Sequence, residues 1–138
     1  PSASNLNFGA GQDNPNLVTV RVGADGYVDL YNAHGEVNLV ADLEGYYTTR
    51  ADDGDLSVSG LATMPPTRVL DTRDGTGGLA GPLGPGETVS VQVTGRGGVP
   101  VSGVAAVAIN VTVTQPTAPG YLTLYPTGEP RPLAAADR

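Results

Sequence analysis

Apolar and polar residues alternate along most of this chain. Leu17-Val18-Thr19-Val20-Arg21-Val22 has the two-residue period of a half-buried strand, and so does Tyr27-Val28-Asp29-Leu30-Tyr31. Between them lies Gly23-Ala24-Asp25-Gly26, whose Asp-Gly pair supplies the positive φ that a tight hairpin needs. Asn32-Ala33-His34-Gly35 turns the chain again. Val37 to Tyr47 then reads as a third strand, more continuously apolar and therefore central. Residues 5–47 thus predict a β-meander.

Residues 48–64 change character: Thr48-Thr49-Arg50-Ala51-Asp52-Asp53-Gly54-Asp55 is polar and predicts a linker or long loop. Strands resume later, at Thr88-Val89-Ser90-Val91-Gln92-Val93, at Val104 to Thr114, and at Tyr121-Leu122-Thr123-Leu124-Tyr125. No segment spaces its apolar residues as a helix would, and the density of proline and glycine opposes helices independently. The expected fold is all-β, an antiparallel β-sandwich of immunoglobulin-like or jelly-roll-like kind, with a closed barrel or trefoil-like closure as the alternative. Its core is expected from Val18/Val20/Val22, Val28/Leu30, Leu39/Ala41/Leu43, Val89/Val91/Val93 and Val107/Ile109/Val111/Val113. The domain reading is one half module over 1–50, a linker over 51–64 and a second half over 65–138, either one compact unit or parts of adjacent repeats.

Composition narrows the partners. The 138 residues include 20 Gly, 12 Pro and no Cys, and 14 acidic groups against seven arginines give a formal net charge of −7. That charge repels a nucleic-acid backbone and an anionic membrane surface, so neither is an expected partner. No apolar run approaches the ~20 residues of a membrane span, so no membrane insertion is expected. Pro1 carries no leader ahead of it, and the chain reads as a mature or excised piece. The lack of cysteine removes disulfides and thiol chemistry without deciding the compartment.

One stretch concentrates charge, proline and glycine around a short apolar pair: Pro65-Pro66-Thr67-Arg68-Val69-Leu70-Asp71-Thr72-Arg73-Asp74-Gly75-Thr76-Gly77-Gly78. Arg68, Asp71, Arg73 and Asp74 read functionally as a ligand site, since guanidiniums and carboxylates in a glycine loop grip sugar hydroxyls or peptide carboxylates. The plainer reading is that they tie the loop to the sheet. Tyr27, Tyr31, Tyr121 and Tyr125 fall opposite Val28/Leu30 and Leu122/Leu124, where they would make half-exposed aromatic rows for stacking on sugars or on another subunit. Covering their own sheet is the plainer alternative.

Other chemistry is thin. Asp52, Asp53 and Asp55 suggest oxygen ligands for calcium, but the full calcium loop with its distal Glu is missing, and no metal site is expected. His34 is the only histidine and has no nucleophile or metal-ligand partner in sequence. No nucleophile elbow, zinc-protease motif or phosphate loop occurs. Hence no catalytic residue and no cofactor are expected, and the chain is not read as an enzyme.

Pro66-Thr67-Arg68-Val69-Leu70-Asp71-Thr72-Arg73, Ala108-Ile109-Asn110-Val111-Thr112-Val113-Thr114 and Gly120-Tyr121-Leu122-Thr123-Leu124-Tyr125-Pro126 together resemble a β-rich repeat module of secreted proteins in high-GC Gram-positive (actinobacterial) bacteria. Ser4-Asn5-Leu6-Asn7-Phe8 and the run from Pro15 to Tyr47 resemble its other half. In that family the segment like 65–134 comes first and the segment like 4–47 follows, so the order here is reversed. The resemblance implies an extracellular, secreted or cell-surface location, and a module found in tandem or beside secreted hydrolases. The expected function is a non-catalytic structural or assembly module, as a tandem repeat or a head-to-tail filament subunit whose partners are copies of itself or adjacent repeats. The alternative is a carbohydrate- or cell-wall-binding accessory module with cell-wall polysaccharide as partner.

Overall fold

In the computed structural model, which describes residues 4–49 and 58–133, the chain forms eight strands. These are β1 (Leu6–Phe8), β2 (Asn14–Arg21), β3 (Tyr27–Asn32), β4 (Asn38–Thr49), β5 (Val58–Asp71), β6 (Thr88–Gln92), β7 (Val104–Thr114) and β8 (Gly120–Pro126). They make two four-stranded sheets, β1-β8-β3-β6 and β2-β7-β4-β5, called here sheets I and II. All pairings are antiparallel and neither sheet closes on itself. The molecule is a β-sandwich, so the barrel and trefoil-like alternatives are set aside.

The alternating residues named above form the buried layer between the sheets. Val28, Leu30, Leu39, Leu43, Val91, Val107, Ile109, Val111 and Val113 are fully buried, while Val22 and Val89 are only partly so. Burying such side chains contributes roughly 1.5–3 kcal/mol each, which makes this layer the main source of stability.

The strand partners differ from a meander. Strands β1 to β4 never pair with one another, and neither do β5 to β8; every ladder joins an early strand to a late one. Thus β7 lies between β2 and β4, and β3 lies between β8 and β6. The Asp-Gly turn has the expected positive φ, 57° at Asp25 and 83° at Gly26, but it carries the chain from sheet II to sheet I instead of closing a hairpin. Gly23 donates to the Tyr27 carbonyl and Ala24 to the Thr127 carbonyl, which fixes that crossing against the end of β8. The expected linker is shortened as well. Residues 58–64 belong to β5, while Asp52, Asp53 and Asp55 lie outside the described residues.

The strand edges differ between the two sheets. In sheet I the edge strands have three and five residues. In sheet II, edge strand β2 contains Pro15, and edge strand β5 contains Pro65 and Pro66, which cannot donate to a further strand. Gly77, at φ 89°, packs so close to the Val69 carbonyl that a Cβ would collide with it. Gly97, at φ 58°, does the same against Thr67 and Met64. Two glycine loops therefore pack against the second half of β5, from Met64 to Leu70.

Candidate functional site

The charged stretch starts from an irregularity in β5. Its register against β4 pairs Leu70 with Ala41 but Arg68 with Asp42, so Val69 is an extra residue, a β-bulge. Val69 and Leu70 are both fully buried. Arg68 and Asp71 consequently emerge on the same outward face, although three residues apart in a regular strand would point to opposite faces.

On that face Asp71 accepts every bond its neighbours can direct at it. Arg73 donates to it through Nε at 2.9 Å, through Nη2 at 2.9 Å and through its backbone N–H at 3.0 Å. Arg68 adds Nη1 at 3.4 Å, and turns its Nε and Nη2 to Asp42 at 2.9 and 3.3 Å. The Asp71 side chain is 4% exposed, whereas those of Arg68 and Arg73 are 47% and 50% exposed. The arginines thus form a charged cover over a shielded carboxylate. Above all the side-chain bond from Arg73, then its backbone N–H and the two positive charges, hold the Asp71 carboxyl down to about 2 against the opposing effect of burial.

The loop that follows is closed by its own groups. Asp71 N–H donates to the Thr76 carbonyl at 2.9 Å, and Gly75 N–H donates to the Asp71 carbonyl at 3.0 Å. Asp74 accepts from the backbone N–H and the hydroxyl of Thr76 at 3.0 and 2.7 Å, which lowers its pKa. Sequence reasoning missed Thr72. It is fully buried, its hydroxyl accepts from Leu39 N–H at 3.0 Å and donates to Asn38 at 2.8 Å, and it pins the loop to β4. A small hydroxyl residue just after a charged one gave no signal in the alternation.

The tyrosines occupy the other side of the molecule. Tyr27 and Tyr31 on β3, with Tyr121 and Tyr125 on the adjacent β8, share the outward face of sheet I, away from the charged cluster on sheet II. Tyr27 and Tyr31 are half-buried, but Tyr121 and Tyr125 are buried at 5% and 8% exposure, not half-exposed as the rows were expected to be. Tyr121 owes its burial to Ala33 and Tyr31, which pack against it. His34 packs edge-on against Tyr121 with ring centroids 6.0 Å apart, and the Arg131 guanidinium sits 3.8 Å over the Tyr31 ring. The structure does not bring the tyrosines and the Arg68–Asp74 cluster into one site.

Among the described residues no group of three or more His, Asp or Glu side chains is arranged to hold a metal ion. No helix among them is long and apolar enough to cross a membrane. Comparisons with protein-family models, curated proteins and solved structures find no match.

Proposed function

We propose that this chain is a non-catalytic structural module of the extracellular space. The observation that carries the reading is the cluster at Arg68–Asp74, whose charges are directed at one another and at the loop backbone. A site organised around a reaction would instead aim such groups at an open position. The buried Tyr121 and Tyr125 point the same way, since a stacking platform needs exposed rings. The resemblance to secreted repeat modules supplies the extracellular location.

Between the two forms of such a module, the pairing of early with late strands favours a unit that closes on itself, used singly or in tandem, over a filament completed by its neighbours. The covered and proline-bearing edges support the same choice. Light scattering across a wide concentration range, with electron micrographs of the same sample, tests it. A single species of 13.9 kDa at every concentration is expected. Fibres, or a ladder of oligomers growing with concentration, would overturn it.

A further inference from the structure

Beside the charged cluster, the outward face of sheet II holds a shallow depression of ≈ 200 Å³. Its register places Val40 between Thr112 on β7 and Asp71 on β5. Asp42 and Arg68 lie at one end, and Asp13, Arg73 and Thr114 complete the lining. Val40 is only 6% exposed although it faces outward, because longer polar side chains surround it.

The polar groups of the lining divide into those already used and those left over. Arg68 commits three N–H groups to Asp42 and Asp71. Arg73 uses Nε and Nη2 on Asp71 and keeps Nη1. Asp13 accepts from the Gln115 N–H through Oδ1 and keeps Oδ2. The hydroxyls of Thr112 and Thr114 have no hydrogen-bond partner among the described residues. One guanidinium nitrogen, one carboxylate oxygen and two hydroxyls therefore remain around a single apolar side chain.

The charges of the lining also matter. Asp13, Asp42 and the Asp71 carboxylate that both arginines bond outnumber the guanidiniums of Arg68 and Arg73 by one charge. An anionic ligand gains no net attraction there, while a neutral molecule with several hydroxyls finds both donors and acceptors. A shallow floor closed by Val40 and ringed by such groups suits a sugar ring, whose hydroxyls bond at the rim. A volume of ≈ 200 Å³ has room for one ring and not for an extended chain. We propose that this depression binds a single neutral sugar ring, held by Arg73, Asp13, Thr112 and Thr114 over Val40. The inference goes beyond the structural role and stands or falls separately from it.

The test is a titration of the intact chain, followed by backbone amide chemical shifts, with the methyl glycosides of glucose, galactose, mannose and N-acetylglucosamine. A shallow site predicts a Kd on the order of 1–10 mM for the best of them. Saturable shifts are expected at Val40, Arg73, Thr112 and Thr114. Thr112→Val and Asp13→Asn should each weaken binding ~10-fold, one lost hydrogen bond, with the melting temperature unchanged. Sodium acetate, a charged probe, should produce no saturable shift at these residues. The proposal is overturned by silence from all four glycosides, by shifts that both substitutions leave intact, or by acetate acting as the sugars do.

Discussion

Arg68 and Asp71 point to the same side of sheet II because the two residues between them, Val69 and Leu70, both enter the core. A bulge of one residue thus sets the geometry of the whole charged cluster. Deleting Val69 restores a regular strand in which Arg68 and Asp71, now two residues apart, still face outward with Leu70 alone between them entering the core. The expected outcome is a folded but weakened protein: the strand signal in circular dichroism stays, and the burial of Val69, roughly 1.5–3 kcal/mol, is lost. Leu70→Ala keeps the register and should cost about 2–5 kcal/mol, measured by urea unfolding. A deletion variant that no longer folds would contradict Val69 as one extra residue in an otherwise regular pairing.

The shielded Asp71 makes stability depend on pH in a defined direction. Its folded pKa, about 2, lies below the 3.8 usual for an aspartate, so the folded state holds the proton less tightly than the unfolded chain. The carboxylate's contribution is therefore complete above about pH 4 and is lost as pH falls through the folded value near 2. Allowing for solvent around the half-exposed arginines, it amounts to about 1–2 kcal/mol. Urea midpoints of the parent and of Asp71→Asn should differ most at neutral pH and converge toward pH 2. A difference independent of pH would show that the charge of Asp71 is not what stabilises the loop.

Two neighbouring glycines separate a required backbone from a tolerant one. Gly97 has φ 58°, and a Cβ there would lie 2.6 Å from the Thr67 hydroxyl and 2.8 Å from the Met64 methyl. Gly98 would place its Cβ 3.8 Å from Met64, an ordinary contact. Gly97→Ala should lower stability by more than ~1 kcal/mol and Gly98→Ala by less, compared by thermal melts. Equal effects would mean that the loop does not pack on the edge of β5 as described.

Because every ladder joins an early strand to a late one, neither half has a strand partner of its own. Separate peptides spanning 1–53 and 54–138 should each lack strand structure alone, and should regain it when mixed. Amide hydrogen exchange of the mixture, compared with that of the intact chain, reads the result. Either peptide folding by itself would break the pairing scheme.

Alternation made most of the architecture legible in the sequence. Val107, Ile109, Val111 and Val113 share a buried face because a strand has period two, and that period is visible without any partner. The partner is not visible: the same alternation in 17–22 and 27–31 fits two strands of one hairpin or two strands of facing sheets. The turn at Asp25-Gly26 satisfies both, and so the meander was the wrong choice. The apolar pair Val69-Leu70 was conspicuous, yet only the register against β4 reveals it as a bulge. Likewise Tyr121 and Tyr27 look alike in sequence. What separates them is cover: Tyr121 lies against Ala33, Tyr31 and the His34 ring, residues far from it along the chain.

The alternation of early and late strands has a further consequence for descent. No hydrogen-bonded ladder records which half is translated first, only that one of each is present. A string of such halves can therefore be divided at either kind of junction and still yield a complete sandwich.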